Sequence, residues 1–411
     1  MSTRTRGIIA SVVVVAFAML SLPISAPAQT ETVLYNFSNG RDAYPEESLL
    51  FASSGLFGTV GGVKGDKYCC GEVFELTQSG GSWIFERVYK FNRQSGGQEP
   101  SDGLVKDATG SLYGTTLYGG TQHGGTLFQL QNSDGTWVAN FIWQFRKNGR
   151  GGNYPGGNLV VDANGSLYGE ADGGSHAAGV VFELSQSNGS WTDTVLHNFK
   201  GTGDGSGPNG GLLMDGPGSL WGVTSHGGGA CDCGTMFHLV SSAGVWTNNV
   251  VHRFGNGSDG ESPNGPLTED SKGVFYGTTA GGGDYGFGAV FETLPDKGGG
   301  WKEKVIYSFR GHGAAATPLA GLSWGLDNHT LYGTTEVGGD ETCGGGSGCG
   351  TVFSLRNSSG VWSEATVYNF KGRPDGIGPY SQVTVDESGN LYGTTLDGGT
   401  YGYGTIWEIT P

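Results

Sequence analysis

The side chains that could carry acid–base chemistry in this 411-residue chain stand just after two prolines: Glu46 and Glu47 follow Pro45, and Ser101 and Asp102 follow Pro100. The matching places after the later prolines hold Gly156, Asn209, Asn264, Leu319 and Tyr380, so only the first two places bear carboxylates. Two carboxyl groups flanking one bond are what glycoside hydrolysis requires. Neighbours along a strand face opposite ways, so one of Glu46 and Glu47 is expected to face Asp102. These three residues are the catalytic candidates.

Binding chemistry has a different register. Arg146, Lys200, Arg310 and Lys371 each directly follow a Phe, and Arg41, Arg93 and Arg253 lie at nearby offsets. The loops also carry Tyr118, Tyr285, Phe287, Tyr401 and Tyr403. Cations interleaved with aromatics can grip carboxylated or sulfated polymers. The competing use of these cations is pairing with loop acids such as Asp204, Asp259 and Asp375, where exposed pairs contribute little.

Metal chemistry is poorly supported. His226 with Cys231 and Cys233 leaves a tetrahedral ion one ligand short. His123, His176 and His226 sit at different offsets from their Gly-Gly pairs and are expected to be solvated. No metal and no cofactor is expected. The six cysteines come as Cys69 and Cys70, Cys231 and Cys233, and Cys343 and Cys349. Local disulfide pairing is the simpler account of them in an oxidising compartment. The Gly-Gly pairs are not phosphate cradles, because no helix start follows them.

The elements that position these residues are set by a repeat. Gly (81 residues) recurs too often for long helices, while 20 Phe, 17 Tyr and 10 Trp are too many for a disordered chain. An apolar–aromatic–Gly phrase recurs around Phe57, Tyr113, Tyr168, Trp221, Tyr276, Tyr332 and Tyr392, at steps of 53 to 60 residues. After each phrase come a Gly-rich loop and a Gly-Thr-Val-Phe-like run. In most repeats a tight turn, a Trp and a run ending in Phe follow. After a Pro, a further short apolar run leads by an Asp-x-x-Gly turn into the next phrase. Each repeat therefore predicts four short strands: A after the Pro, B at the phrase, C at Gly-Thr-Val-Phe and D from Trp to Phe.

Four strands in about 50 residues make one propeller blade. The expected fold is all-β, a seven-bladed β-propeller with four antiparallel strands per blade. The last repeat stops after strand C at Ile409, and the chain before the first repeat offers a D-like run, Glu31 to Phe37. Pairing these two ends closes the ring and removes an exposed sheet edge. Trp83, Trp137, Trp191, Trp246, Trp301 and Trp362 share one register at the C–D turn and are expected to pack between blades. In an up-and-down blade the D–A and B–C loops share one face. The longer, variable B–C loops mark that face as the functional one.

The phrase Leu391-Tyr392-Gly393-Thr394-Thr395, followed by Gly-Gly and then a Gly-Thr-Ile-Trp run, resembles the GloVer (Gloeo_Verruco) tandem repeat of exported bacterial proteins, over nearly all of residues 31–411. It is more loosely similar to kelch propellers. The resemblance implies a secreted or surface propeller without an assigned biochemical activity.

Arg4 and Arg6, an apolar run from Ile8 to Leu22, and Ala26-Pro27-Ala28 together read as a secretory signal peptide. Residues 1–28 are thus expected to be removed, leaving 29–411 as a single propeller domain, exported to the periplasm or beyond, with no transmembrane segment. The formal charge of −16 disfavours nucleic acids and anionic membranes as partners. The expected role is a binding or scaffold module for extracellular or envelope polysaccharide. A polysaccharide hydrolase or lyase, and a structural surface protein contacting envelope proteins, are the alternatives.

Overall fold

The computed structural model describes residues 30–38, 43–52, 55–62, 70–92, 96–100, 102–255, 257–311 and 313–410. The expected signal peptide, Arg41, Cys69, Arg93 and Ser101 lie outside the described residues.

Seven four-stranded antiparallel sheets form a ring of blades. Blade 1 consists of Leu50–Ala52, Gly55–Val60, Glu72–Ser79 and Ser82–Lys90, running A to D from the axis outward. The inner strands are buried on both sides, as in Leu112–Thr116. Outer strands such as Ser190–Asn198 alternate exposed and part-buried residues, as a half-covered strand should. Five A–B hairpins are Asx turns; in blade 2 the Gly110 amide donates to the Asp107 carbonyl and the Thr109 amide to its side chain. Blade 7 takes its outer strand from the other end of the chain: Thr30–Asn36 pairs with Thr405–Thr410, Thr30 opposite Thr410 and Asn36 opposite Thr405. The ring is closed as the sequence predicts.

One aromatic contact joins every pair of blades. The Phe ending each D strand is buried and meets, edge-on, the aromatic of strand C in the next blade. The seven pairs are Phe37 with Phe74, Phe91 with Phe128, Phe145 with Phe182, Phe199 with Phe237, Phe254 with Phe291, Phe309 with Phe353 and Phe370 with Trp407, at centroid distances of 5.0 to 5.9 Å. The tip of the strand C ring in turn abuts the glycine of the repeated phrase. A Cβ at Gly222 would stand 2.4 Å from Phe237, and one at Gly393 would stand 2.3 Å from Trp407. That close approach is why the phrase ends in Gly. Further out, Trp137 packs on Phe57, Trp246 on Tyr168 and Trp362 on Tyr276, each on the blade before it.

A second seam contact runs round the channel mouth. The residue before each proline has positive φ: Tyr44 (63°), Glu99 (54°), Tyr154 (51°), Gly207 (65°), Ser262 (53°), Thr317 (57°) and Gly378 (63°). Such a backbone costs a residue with a Cβ about 1–2 kcal/mol. Two hydrogen bonds hold it in place. At Thr317 the amide donates to the Phe287 carbonyl of the preceding blade at 2.9 Å, and the carbonyl accepts from the Glu336 amide at 3.0 Å. The same amide bond joins Glu99 to Cys70, Ser262 to Cys233 and Gly378 to Cys349. The second cysteine of each pair therefore sits at a blade seam.

Three outcomes are expected from these contacts. Removing residues 30–37 leaves Thr405–Thr410 as a bare edge, so the truncated protein should melt lower and aggregate; unchanged melting of a monomer, by calorimetry and light scattering, would contradict the closure. Phe199→Ala should lose about 3–5 kcal/mol in urea unfolding, the usual cost of deleting a buried aromatic ring. Thr317→Gly should raise the urea midpoint, gaining up to about 1 kcal/mol by relieving the left-handed backbone.

Candidate functional site

The channel mouth is built from the turn after each proline and the end of strand B. On strand B the residue after the phrase glycine is Thr59, Thr115, Thr278, Thr334 or Thr394 in five blades, Val223 in blade 4 and Glu170 in blade 3. The threonines brace the ring: Thr278 Oγ1 donates to the Ala320 carbonyl at 2.8 Å and Thr334 Oγ1 to the Ser381 carbonyl at 3.0 Å, both in the following blade. Glu170 reverses the polarity of this brace. Its Oε2 accepts from the Gly211 amide at 2.8 Å, while its Oε1 is buried with no hydrogen-bond partner.

Three acids gather there. Asp102 is 4% exposed and accepts from Thr115 Oγ1. Burial raises its carboxyl to about 7, although hydrogen bonds from Thr115 and the Gly157 amide pull the other way. Burial raises Glu170 to about 8, opposed by the Gly211 amide and assisted by the charge of Asp102. Glu47 is held well above the usual carboxylate range by burial and by the charges of Asp102 and Glu46. Glu46 is exposed and lines the same mouth. Glu46 and Glu47 lie before strand A rather than in it, so strand alternation does not decide between them; Glu47 is the one whose carboxyl feels the charge of Asp102.

Glu47 and Asp102 border, with Glu46 and Asp172, a cavity of about 350 Å³ that also presents Tyr154, Asn209, Asn264, Tyr380 and Gln382, while Glu170 is buried behind Gly157 of its wall. Among the described residues no basic one lines it. It can donate hydrogen bonds from neutral carboxyls and both donate and accept through amides and phenols. The raised carboxyls are also suited to general-acid chemistry near neutral pH. Sequence reasoning missed Glu170 because it looked for acids after the prolines. The available signal was the one blade whose phrase continues with Glu where the others have Thr or Val.

The predicted rim lies elsewhere. Arg146, Lys200, Arg310 and Lys371 are exposed at the ends of outer strands, away from the cavity. Arg310 stands over the Tyr285 ring at 5.5 Å and Lys371 over Tyr368 at 5.8 Å. Asp204 and Asp375 accept from the backbone amides of Lys200 and Lys371, so they fold the D–A loops. Tyr118, Tyr285 and Tyr401 are exposed. Tyr403 is half-buried against Tyr44, and Phe287 packs into the core, so neither belongs to an open aromatic surface. Only Tyr118 approaches the cavity, edge-on to Tyr154 at 5.3 Å.

Cys231 is bonded to Cys233 and Cys343 to Cys349, so the local pairing holds for these four. The first bond takes both thiolates from any ion at His226. His123, His176 and His226 are exposed and do not converge. Among the described residues no helix is long and apolar enough to cross a membrane.

The Gloeobacter/Verrucomicrobia repeat family model matches residues 23–171 and 138–346. The chain belongs to this family. No curated protein sequence matches this Gloeobacter/Verrucomicrobia repeat protein significantly. Among solved structures it is similar to a hypothetical selenium-binding protein from Sulfolobus tokodaii, with 10% identity, TM-score 0.57, and coverage of 84% of this chain and 87% of that one. It is also similar to a putative 6-phosphogluconolactonase from Bacteroides uniformis, with 16% identity, TM-score 0.52, and coverage of 79% and 84%. At these identities the likeness is one of fold alone.

The raised carboxyls have a consequence for stability. The folded protein binds protons at Asp102 and Glu170 that the unfolded chain has already lost, so stability falls as pH rises from about 4 to about 8. Glu170→Gln should flatten that fall and raise the melting temperature at pH 8 relative to wild type, an effect on the order of a few kcal/mol. Parallel melting profiles of the two proteins from pH 5 to pH 8.5 would contradict it.

Proposed function

We propose that this exported propeller binds extracellular or envelope polysaccharide through its D–A/B–C loop face, with the channel mouth taking the sugar. The observation that carries this reading is the cavity of about 350 Å³ bordered by Glu47 and Asp102, both held toward their neutral forms, with Glu170 buried behind its wall. A cavity of that size lies within the range of small-molecule sites and accommodates a sugar residue. Neutral carboxyls and the side-chain amides of Asn209, Asn264 and Gln382 match hydroxyl groups better than they match anions. The outer cations Arg146, Lys200, Arg310 and Lys371 supply a second zone for acidic substituents of a longer chain, one that salt should weaken.

A second reading rests on the same carboxyls: hydrolysis or lysis of the polymer, with Asp102 as general acid. Depletion of the protein from solution by a panel of neutral, uronic and sulfated polysaccharides tests the first reading. Asn209→Ala with Asn264→Ala should weaken depletion by a neutral polymer at least tenfold, whereas replacing the four outer cations should affect only acidic polymers. Depletion by no polymer would overturn the polysaccharide reading. Product release that disappears in Asp102→Asn would establish the hydrolytic alternative.

A further inference from the structure

The D strands carry a second repeated arrangement, on the outer side of the ring. Two residues before the terminal Phe stands a His or Tyr in most blades. It faces an acid of the following D–A loop and a residue of the next blade's D strand. Between blades 3 and 4 the set is His197, Asp204 and Asn248. His197 Nε2 lies 3.0 Å from Asp204 Oδ2 and 3.1 Å from Asn248 Nδ2. Between blades 6 and 7 Tyr368 takes the imidazole's place, its hydroxyl donating to Asp375 at 3.0 Å. Between blades 4 and 5 the set is His252, Asp259 and Glu303. There, uniquely among the described residues, an imidazole meets two carboxylates whose donor atoms all lie within 4.8 Å of one another.

We propose that the seam between blades 4 and 5 binds a divalent transition-metal ion, of which Zn²⁺ is the probe, through His252 Nε2, Asp259 Oδ2 and Glu303 Oε2. The spacing fits. His252 Nε2 is 3.2 Å from the Asp259 oxygen and 3.7 Å from the Glu303 oxygen. Two ligands on tetrahedral zinc at about 2.1 Å stand about 3.4 Å apart. Glu303 supplies the independent sign of a missing partner: its side chain is only 8% exposed, and its Oε1 is buried without a hydrogen bond. One imidazole proton cannot serve two carboxylates: His252 Nε2 is within hydrogen-bond distance of Asp259 and leaves Glu303 at 3.7 Å. Asp259 is fixed by the Gly255 and Gly260 amides, each at 2.8 Å, so it needs no rearrangement to ligate. His252 and Asp259 are 23% and 26% exposed, which leaves an entry path and a fourth position for water. One nitrogen and two oxygens suit zinc and its first-row neighbours, whereas calcium would call for more oxygens. A bound ion would staple two blades at their outer edge.

The chain contains its own control. Asn248 occupies, one seam earlier, the place of Glu303, so Asn248→Glu should create a second set of the same kind. Metal-free full-length protein should take up one Zn²⁺ in a calorimetric titration and melt at a higher temperature with it. Glu303→Gln and His252→Ala should each weaken uptake at least tenfold. Asn248→Glu should raise the stoichiometry to two. The proposal is overturned if wild type takes up no zinc, or if uptake is unchanged in both Glu303→Gln and His252→Ala. Should those two variants fail to fold, a stoichiometry that stays at one in Asn248→Glu overturns it equally. Preference for Ca²⁺ over Zn²⁺ would overturn the choice of metal class.

Discussion

The ring depends on an edge-to-face contact handed from blade to blade: the last Phe of each outer strand, buried, against the strand C aromatic of the next blade. The contact constrains residues on three strands at once. Strand C must present a large ring, strand B must present no side chain beneath it, and strand D must end in Phe. The Leu-Tyr-Gly phrase, the Gly-Thr-Val-Phe run and the Phe-Lys or Phe-Arg ending are therefore one packing unit read out at three places in the sequence. Aromatic pairs of this kind add about 0.5–1.5 kcal/mol each beyond the area they bury. Because the contact joins repeats that cannot bury their faces alone, it also explains why the seventh blade borrows a strand from the N-terminus.

With the blades locked by their outer halves, the inner ends are free to differ. Thr59, Thr278, Thr334 and Thr394 bridge blade to blade at the channel mouth, and the one carboxylate at this register, Glu170, brings an unpartnered buried oxygen to the same ring. Glu47 and Asp102 occupy turns where other blades have Gly, Ala or Ser. Each of these replacements costs stability that packing does not require. A site whose parts are unfavourable for the scaffold is the place where function is expected to reside. The positive φ before the proline that leads into strand A adds to this local cost, but its amide hydrogen bond across the seam gives it a structural purpose.

The architecture was legible because the period, the turn chemistry and the two unequal ends all describe backbone, which repeats impose strictly. That Glu47 and Asp102 stand at one register was legible as well, from their shared offset after Pro45 and Pro100, although neither lies in a strand where alternation could operate. The cations and loop tyrosines were misleading in a specific way. Their register is real, yet it belongs to the outer strand, a blade's width from the axis, and Tyr403 and Phe287 turned inward to pack. Glu170 and the His252 set were missed for the same reason: each is a departure from the repeat at a single blade. Averaging over repeats, which reveals the fold, conceals the residues that differ.

The central claim is that the channel mouth holds neutral carboxyl groups near physiological pH, ready to donate hydrogen bonds to a sugar. A carbon-13 NMR titration of the glutamate side-chain carboxyls, with Glu170→Gln identifying the resonance, measures this most directly. The account predicts a Glu170 midpoint near 8. A midpoint at the ordinary 4.5 would mean a charged, hydrated channel and would contradict it.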